Sequence, residues 1–103
     1  MTLSKKDRLF LQEGAVKAAA LLRAVGNEHR LLMLCLLIEH GELSVGALLE
    51  HVGLSQSALS QHLAKMREEG LVTFRRESQT LYYRIDNSDV EKLVATLKAI
   101  FCP

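Results

Sequence analysis

The stretch from Leu54 to Met66, Leu-Ser-Gln-Ser-Ala-Leu-Ser-Gln-His-Leu-Ala-Lys-Met, constrains the fold more than any other part of the chain. A helix opened by Ser55 places Leu59, Leu63 and Met66 on one face at i, i+4 and i+7, the pattern of a helix half sunk in a core. Ser57, Gln61, Ala64 and Lys65 fall on the other side, with Ser60 at its flank. A solvated helix face usually carries Glu and Lys; this one carries short hydroxyls, an amide and an alanine. Such side chains let a second surface approach closely and then hydrogen-bond to it. Ser and Gln in that setting read base edges in a major groove, while Lys or Arg hold phosphates. A polar helix packed on a small domain is the plainer reading of the same pattern.

The neighbouring segments favour the first reading. Ser44 caps a short third helix to Val52, with Val45, Leu48, Leu49 and Val52 inward, and Gly53 supplies the turn into the Ser55 helix, which ends at Gly70. Short helix, glycine turn and capped second helix make a helix-turn-helix. Upstream, a first helix is expected from about Ser4 to Val25. Asn27 caps a second, Glu28 to about His40, apolar on all sides in its middle and stopped by Gly41. After Gly70 the period changes. Leu71–Arg76 and Thr80–Ile85 are rich in Val, Thr, Phe, Tyr and Ile and are joined by Glu77-Ser78-Gln79, a β-hairpin pattern. One of Tyr82 and Tyr83 should face the core and the other outward. Ser88-x-x-Glu91 is a capping box opening a last helix, whose Val90, Leu93, Val94, Leu97, Ile100 and Phe101 form one apolar seam. That seam is wider than one small domain needs. With the first helix it points to a homodimer interface, the alternative being packing on its own domain alone. The expected fold is mainly α with a β-hairpin wing, a winged helix-turn-helix spanning residues 1–103 as one domain.

Composition agrees. Hydrophobic residues make up 49% of the chain and aromatic ones only 5%, so the core is built from Leu, Val, Ile and Ala. The net charge of +1 is weak evidence for a polyanion partner, but its distribution says more. No acid lies between Glu50 and Glu68, where Lys65 and Arg67 sit, and Arg75, Arg76 and Arg84 face only Glu77 over Leu71–Ile85. A locally basic centre suits one surface turned to nucleic acid. The start of the chain, with Asp7 and Arg8 after Lys6, does not read as a secretory leader. The longest apolar run, Leu31–Ile38, is far short of the roughly 20 residues that cross a bilayer. A cytoplasmic protein is expected, in which Cys35 and Cys102 form no permanent structural disulfide. No base-oriented nucleophile, paired carboxylates or phosphate-cradling glycine loop appears, so neither an enzyme nor a cofactor is expected.

The order of elements, with Glu42-Leu-Ser-Val-Gly-Ala-Leu48 followed by Ser55-x-Ser57-x-x-Ser60-x-His62-Leu63, resembles the ArsR/SmtB family of winged-helix repressors from about Ala18 to Cys102. The resemblance implies a homodimer whose Ser55 helices enter two major grooves of a palindromic double-stranded operator. It maps Ser55, Gln56, Ser57, Ser60, Gln61, His62 and Lys65 to the reading helix and Arg75, Arg76 and Gln79 to the wing. His62 lies beside the Leu59–Leu63 face, so packing and DNA contact are both open to it.

Many members of this family release DNA on binding metal. At the third-helix metal site this chain has Ser44 and Gly46, neither a soft ligand, and from Ser88 to Pro103 it has no histidine. His29, His40, His51 and His62 recur every eleven residues, but Gly41 and Gly53 interrupt the helix that would align them. Cys35 and Cys102, read alone, are as readily two separate small hydrophobes. The placement of Cys35 within Leu-Met-Leu-Cys and of Cys102 in a terminal Ile-Phe-Cys is similar to the dithiol branch of the family. That likeness implies a switch answering to reactive sulfur species or oxidants. A metal-responsive regulator, or one with no small-molecule switch, is the alternative.

Overall fold

A computed structural model describes residues 2–102; Met1 and Pro103 lie outside the described residues. The chain runs α1 (Lys5–Leu9), a π-helical turn (Phe10–Gly14), α2 (Ala15–Val25), α3 (Glu28–His40), β1 (Leu43–Ser44), α4 (Val45–His51), α5 (Gln56–Glu68), β2 (Val72–Glu77), β3 (Thr80–Ile85) and α6 (Ser88–Phe101). This is the expected winged helix-turn-helix, mostly helical with an antiparallel hairpin.

The expected first helix is one rod in three parts. A Cβ at Gly14 would stand 2.8 Å from the Phe10 ring, so the ring lies over the glycine where the helix widens into its π turn. The rod projects from the body and stretches the molecule to 57 × 32 × 21 Å. Asn27 caps α3 by accepting from the backbone N–H groups of His29 and Arg30, as its position predicts. Gly41 ends α3 and Gly70 follows α5, both with φ near +80°, a backbone region that costs a residue with a Cβ.

Met33, Leu34 and Leu37 of α3 are buried against Leu48 of α4, Leu59, Leu63 and Met66 of α5, and Val90 and Val94 of α6. Tyr83 joins this core while Tyr82 is turned outward, a consequence of strand alternation. The central helix is not buried all round: Leu32 is 40% exposed and Cys35 half-buried. The α6 seam is likewise split, buried at Val90 and Val94 but bare at Ile100 (65%) and Phe101 (77%).

Local details depart from expectation at four places. Helix α5 stops at Glu68 rather than Gly70. The wing strands run to Glu77 and from Thr80, leaving a two-residue turn with Ser78 at φ 56°. The cap of α6 is Asn87, whose Oδ1 accepts from Asp89 and Val90 N–H, so the Ser88 capping box is not used. Leu43 and Ser44 form a short strand antiparallel to β3, pairing with Tyr83 and Tyr82. Two residues carry no period, and Ser44 serves there both as strand end and as the cap of α4.

Candidate nucleic-acid interface and thiol pair

Ser55 opens α5 by accepting the Ala58 N–H at 3.1 Å. Burial of Leu59, Leu63 and Met66 then fixes the roll of the helix. Ser57, Gln61 and Lys65 are exposed on the side opposite that seam, Ser60 is exposed at its flank, and Gln56 is exposed in the first turn, three positions before Leu59. Ser55 is exposed too, with its oxygen already engaged as the cap. The structure thus brings Ser57, Ser60, Gln61 and Lys65 onto one outward face, with Ser55 and Gln56 exposed at its N-terminal end.

His62 stands apart from them. It is half-buried, and its Nδ1 accepts a hydrogen bond of 3.2 Å from Arg30 Nε. Burial, then the nearby Arg30 and His29 charges, hold its pKa below the ordinary histidine value, so the ring is neutral at pH 7. Arg30 also donates to the Ala24 carbonyl at 3.1 Å and lies 3.7 Å from Glu69. Sequence reasoning missed Arg30. Asn27-Glu28-His29-Arg30 reads as an ordinary helix start, and nothing in it announces a partner 32 residues away.

The wing arginines are not equivalent. Strand pairing sets Arg75 opposite Tyr82 and Arg76 opposite Leu81, and successive residues of β2 point to opposite faces. Arg75 grips Glu42 in a fork, Nε at 3.0 and 3.1 Å and Nη2 at 2.8 Å, and donates from Nη1 to Glu77 at 2.8 Å. Its guanidinium lies 4.5 Å over the Tyr82 ring. Two carboxylates offset the charge of one cation and hold Arg75 firmly protonated, and the hydrogen bond from Arg75 in turn lowers the pKa of Glu42. Arg76, Arg84 and the turn residue Gln79 are exposed. The expectation treated Arg75 and Arg76 as a pair; the pleat separates them, and Glu42, just before β1, occupies one.

The two cysteines come from helices that face each other. Lys98 of α6 reaches Glu39 of α3 at 3.7 Å. Cys35 stands one turn before Glu39, and Cys102 one turn after Lys98. An antiparallel crossing therefore brings the thiols to one level, and a charge on Cys102 is felt at Cys35. Both are free, Cys102 exposed and Cys35 half-buried. Burial pushes the Cys35 thiol up. Lys98 partly offsets this, while Cys102 and Glu39 add to it.

Comparison with known proteins now has a geometry to explain. The model of the bacterial regulatory protein family arsR matches residues 27–73, from the cap of α3 into β2. The HTH-type transcriptional regulator YgaV of Escherichia coli is 48% identical, over 90% of this chain and 94% of that one. The solved structure of reduced HlyU from Vibrio cholerae superposes with a TM-score of 0.86 at 43% identity, covering 92% of this chain and 99% of that one. The transcriptional repressor BigR from Xylella fastidiosa superposes with a TM-score of 0.84 at 36% identity, covering 98% and 99%.

The chain belongs to the ArsR family.

It is therefore a DNA-binding transcriptional regulator of the winged-helix kind. Within this ArsR-family fold, and among the described residues, no three His, Cys, Asp or Glu side chains are grouped to hold a metal ion. No described helix is long and apolar enough to cross a membrane. The thiol environment makes a direct prediction. With iodoacetamide at neutral pH, exposed Cys102 should be alkylated before Cys35, and the Cys35 rate should still be rising with pH above the ordinary thiol range. Lys98→Gln should slow Cys35 further at any fixed pH. Peptide mass spectrometry of timed samples checks this, and Cys35 reacting first at neutral pH would contradict it.

Proposed function

We propose that this ArsR-family chain is a cytoplasmic homodimer that binds a palindromic operator while its thiols are reduced and loses that fit when Cys35 and Cys102 are bridged. The observation that carries the DNA reading is the exposed polar face of α5, with Ser57, Gln61 and Lys65 opposite a fully buried seam and Ser60 at its flank. Ser57, Ser60 and Gln61 supply hydrogen-bonding groups for base edges, and Lys65 and Ser55 approach phosphates. Arg76 and Gln79 extend the contact from the wing. His62 and Arg75 are taken out of the contact set, because each is already engaged inside the protomer.

The dimer reading is supported by apolar side chains left bare on the two terminal elements. Leu9, Phe10, Val16 and Leu22 lie on the α1–α2 rod, and Ile100 and Phe101 at the end of α6. Exposed apolar surface of this extent on a small chain is the mark of an interface. A dimer built there places Cys102 beside the joint that sets the spacing of the two reading helices, which must match half-sites about 34 Å apart.

The switch reading is supported by the free thiols on α3 and α6. Peroxide oxidation removes two electrons and two protons from the pair and leaves two waters and a disulfide. With a persulfide, the Cys102 thiolate takes the outer sulfur and releases the donor as a thiolate. Cys35 then attacks the Cys102 sulfur, expels hydrosulfide and leaves the same bridge. A link between the core helix and the dimer helix that changes operator binding by about 1–3 kcal/mol shifts affinity roughly 5- to 150-fold.

Cys35→Ser and Cys102→Ser should each abolish the loss of operator binding on persulfide or peroxide treatment while leaving binding of the reduced protein intact. Fluorescence anisotropy with a duplex selected by the wild-type protein measures both, and a wild-type response in either variant would exclude the two-thiol mechanism. The wing assignment is tested by salt. Arg76→Ala should flatten the dependence of log K on log salt by about one, whereas Arg75→Ala should leave that slope near wild type. Equal slopes for the two variants would contradict the separation made here.

A further inference from the structure

Arg30 makes three connections that no single packing role requires. Its side chain is 13% exposed. Nη1 donates to the carbonyl of Ala24 in the last turn of α2, whose carbonyls lack partners within their own helix. Nε donates to His62 on α5, and Nη1 faces Glu69, the C-cap of α5. His62 and Glu69 are seven positions apart, two turns along one side of the helix. One rigid guanidinium therefore grips the rod at one point and the reading helix at two. Two points two turns apart fix both the roll of a helix and its tilt. His62 directly follows Gln61, so any roll released at His62 moves the Ser57–Gln61 face.

We propose that Arg30 is the positioning residue of the reading helix, holding the Ser57–Gln61 face at a set angle to the α2 rod through His62 and Glu69 and so deciding how selectively the protein reads its operator. This inference rests on the assignment of α5 as the reading helix. Its chemistry carries a signature. Nδ1 accepts the hydrogen bond from Arg30 only while the ring is neutral, and an imidazolium there would point N–H at N–H. His29, whose ring centroid lies 6.3 Å away, adds to the opposition, and Glu69 is already turned to Arg30. Lys17 and Arg23 of α2 and Lys65 of α5 line the same 890 Å³ groove as Arg30, with Asp89 as its other acid. Because folding lowers the pKa of His62, the grip is fully present above the unfolded value of about 6.5 and fades as pH falls through the lower folded value. Acid should thus weaken selective binding. A histidine contacting phosphate directly would do the reverse, gaining affinity when protonated.

The test uses the full-length reduced protein, a duplex selected from a random pool by the wild type, and a scrambled duplex of equal length. Arg30→Lys keeps the charge but loses the fork, and should lower affinity for the selected duplex roughly tenfold or more while leaving the scrambled duplex and the salt slope unchanged. His62→Asn keeps an acceptor near the place of Nδ1, and should retain selectivity at neutral pH but lose the decline that the wild type shows as the pH falls below about 6.5. His62→Ala should behave as Arg30→Lys does, and thermal melts verify that each variant is folded. Equal losses on both duplexes, a flatter salt slope, unchanged selectivity, or tighter selected binding by the wild type in acid would each overturn the proposal. Should Arg30→Lys not fold, the two His62 variants and the sign of the pH profile decide it alone. If Ser57→Ala/Gln61→Ala binds the selected duplex as the wild type does, the reading-helix assignment itself fails. If that pair loses selectivity and Arg30→Lys does not, only the role of Arg30 fails.

Discussion

Burial of the Leu59–Leu63–Met66 seam against α3 is the constraint on which the rest depends. Each such side chain contributes about 1.5–3 kcal/mol when removed from water, so no other roll of α5 competes. With three buried residues on one side, the opposite side is exposed by geometry alone, and its chemistry is set by what the sequence places there. Ser57, Ser60 and Gln61 are outward for the same reason that Leu59 is inward. The glycine turn and the Ser55 cap set where the helix begins, and the seam sets which way it looks.

Charge is handled differently around this face. Two cations are paired within the protomer: part-buried Arg30 with His62 and Glu69, and, at the surface, Arg75 with Glu42 and Glu77. Lys65 and Arg76 are left exposed. With a net charge of only +1, the chain sets Glu42 and Glu77 against Arg75 and Glu69 against Arg30, and no acid stands between Glu50 and Glu68. The thiols follow the same economy of place. Lys98 and Glu39 join the two helices and also set the charge around Cys35, Lys98 lowering its pKa and Glu39 raising it.

Much of this was legible from residues alone, and for identifiable reasons. Periods of 3.6 and 2, Asn27, Ser44 and Ser55 as caps, and the hairpin after Gly70 are local signals, and the structure keeps them. The same local reading sorted Tyr82 from Tyr83 only as one in and one out. What stayed hidden depends on contacts between distant residues. The ion pair of Arg75 was hidden because Glu42, its partner, is 33 positions away. Arg30 looked like an ordinary first-turn residue for the same reason. The break in the first helix was hidden differently: it comes from the Phe10 ring lying over Gly14, a shape effect that no periodicity records. Asn87 displaced Ser88 as cap because two good capping residues stood side by side, and sequence offers no rule for choosing between them.

Backbone and side-chain amide shifts of labelled, reduced protein, followed while the selected duplex is added, test the central claim most directly. The account predicts the largest changes at Gln56, Ser57, Ser60 and Gln61, with Arg76 and Gln79 following and the guanidinium of Arg75 little moved. Changes concentrated on the α1–α2 rod or along α6, with Ser57 and Gln61 still, would contradict it.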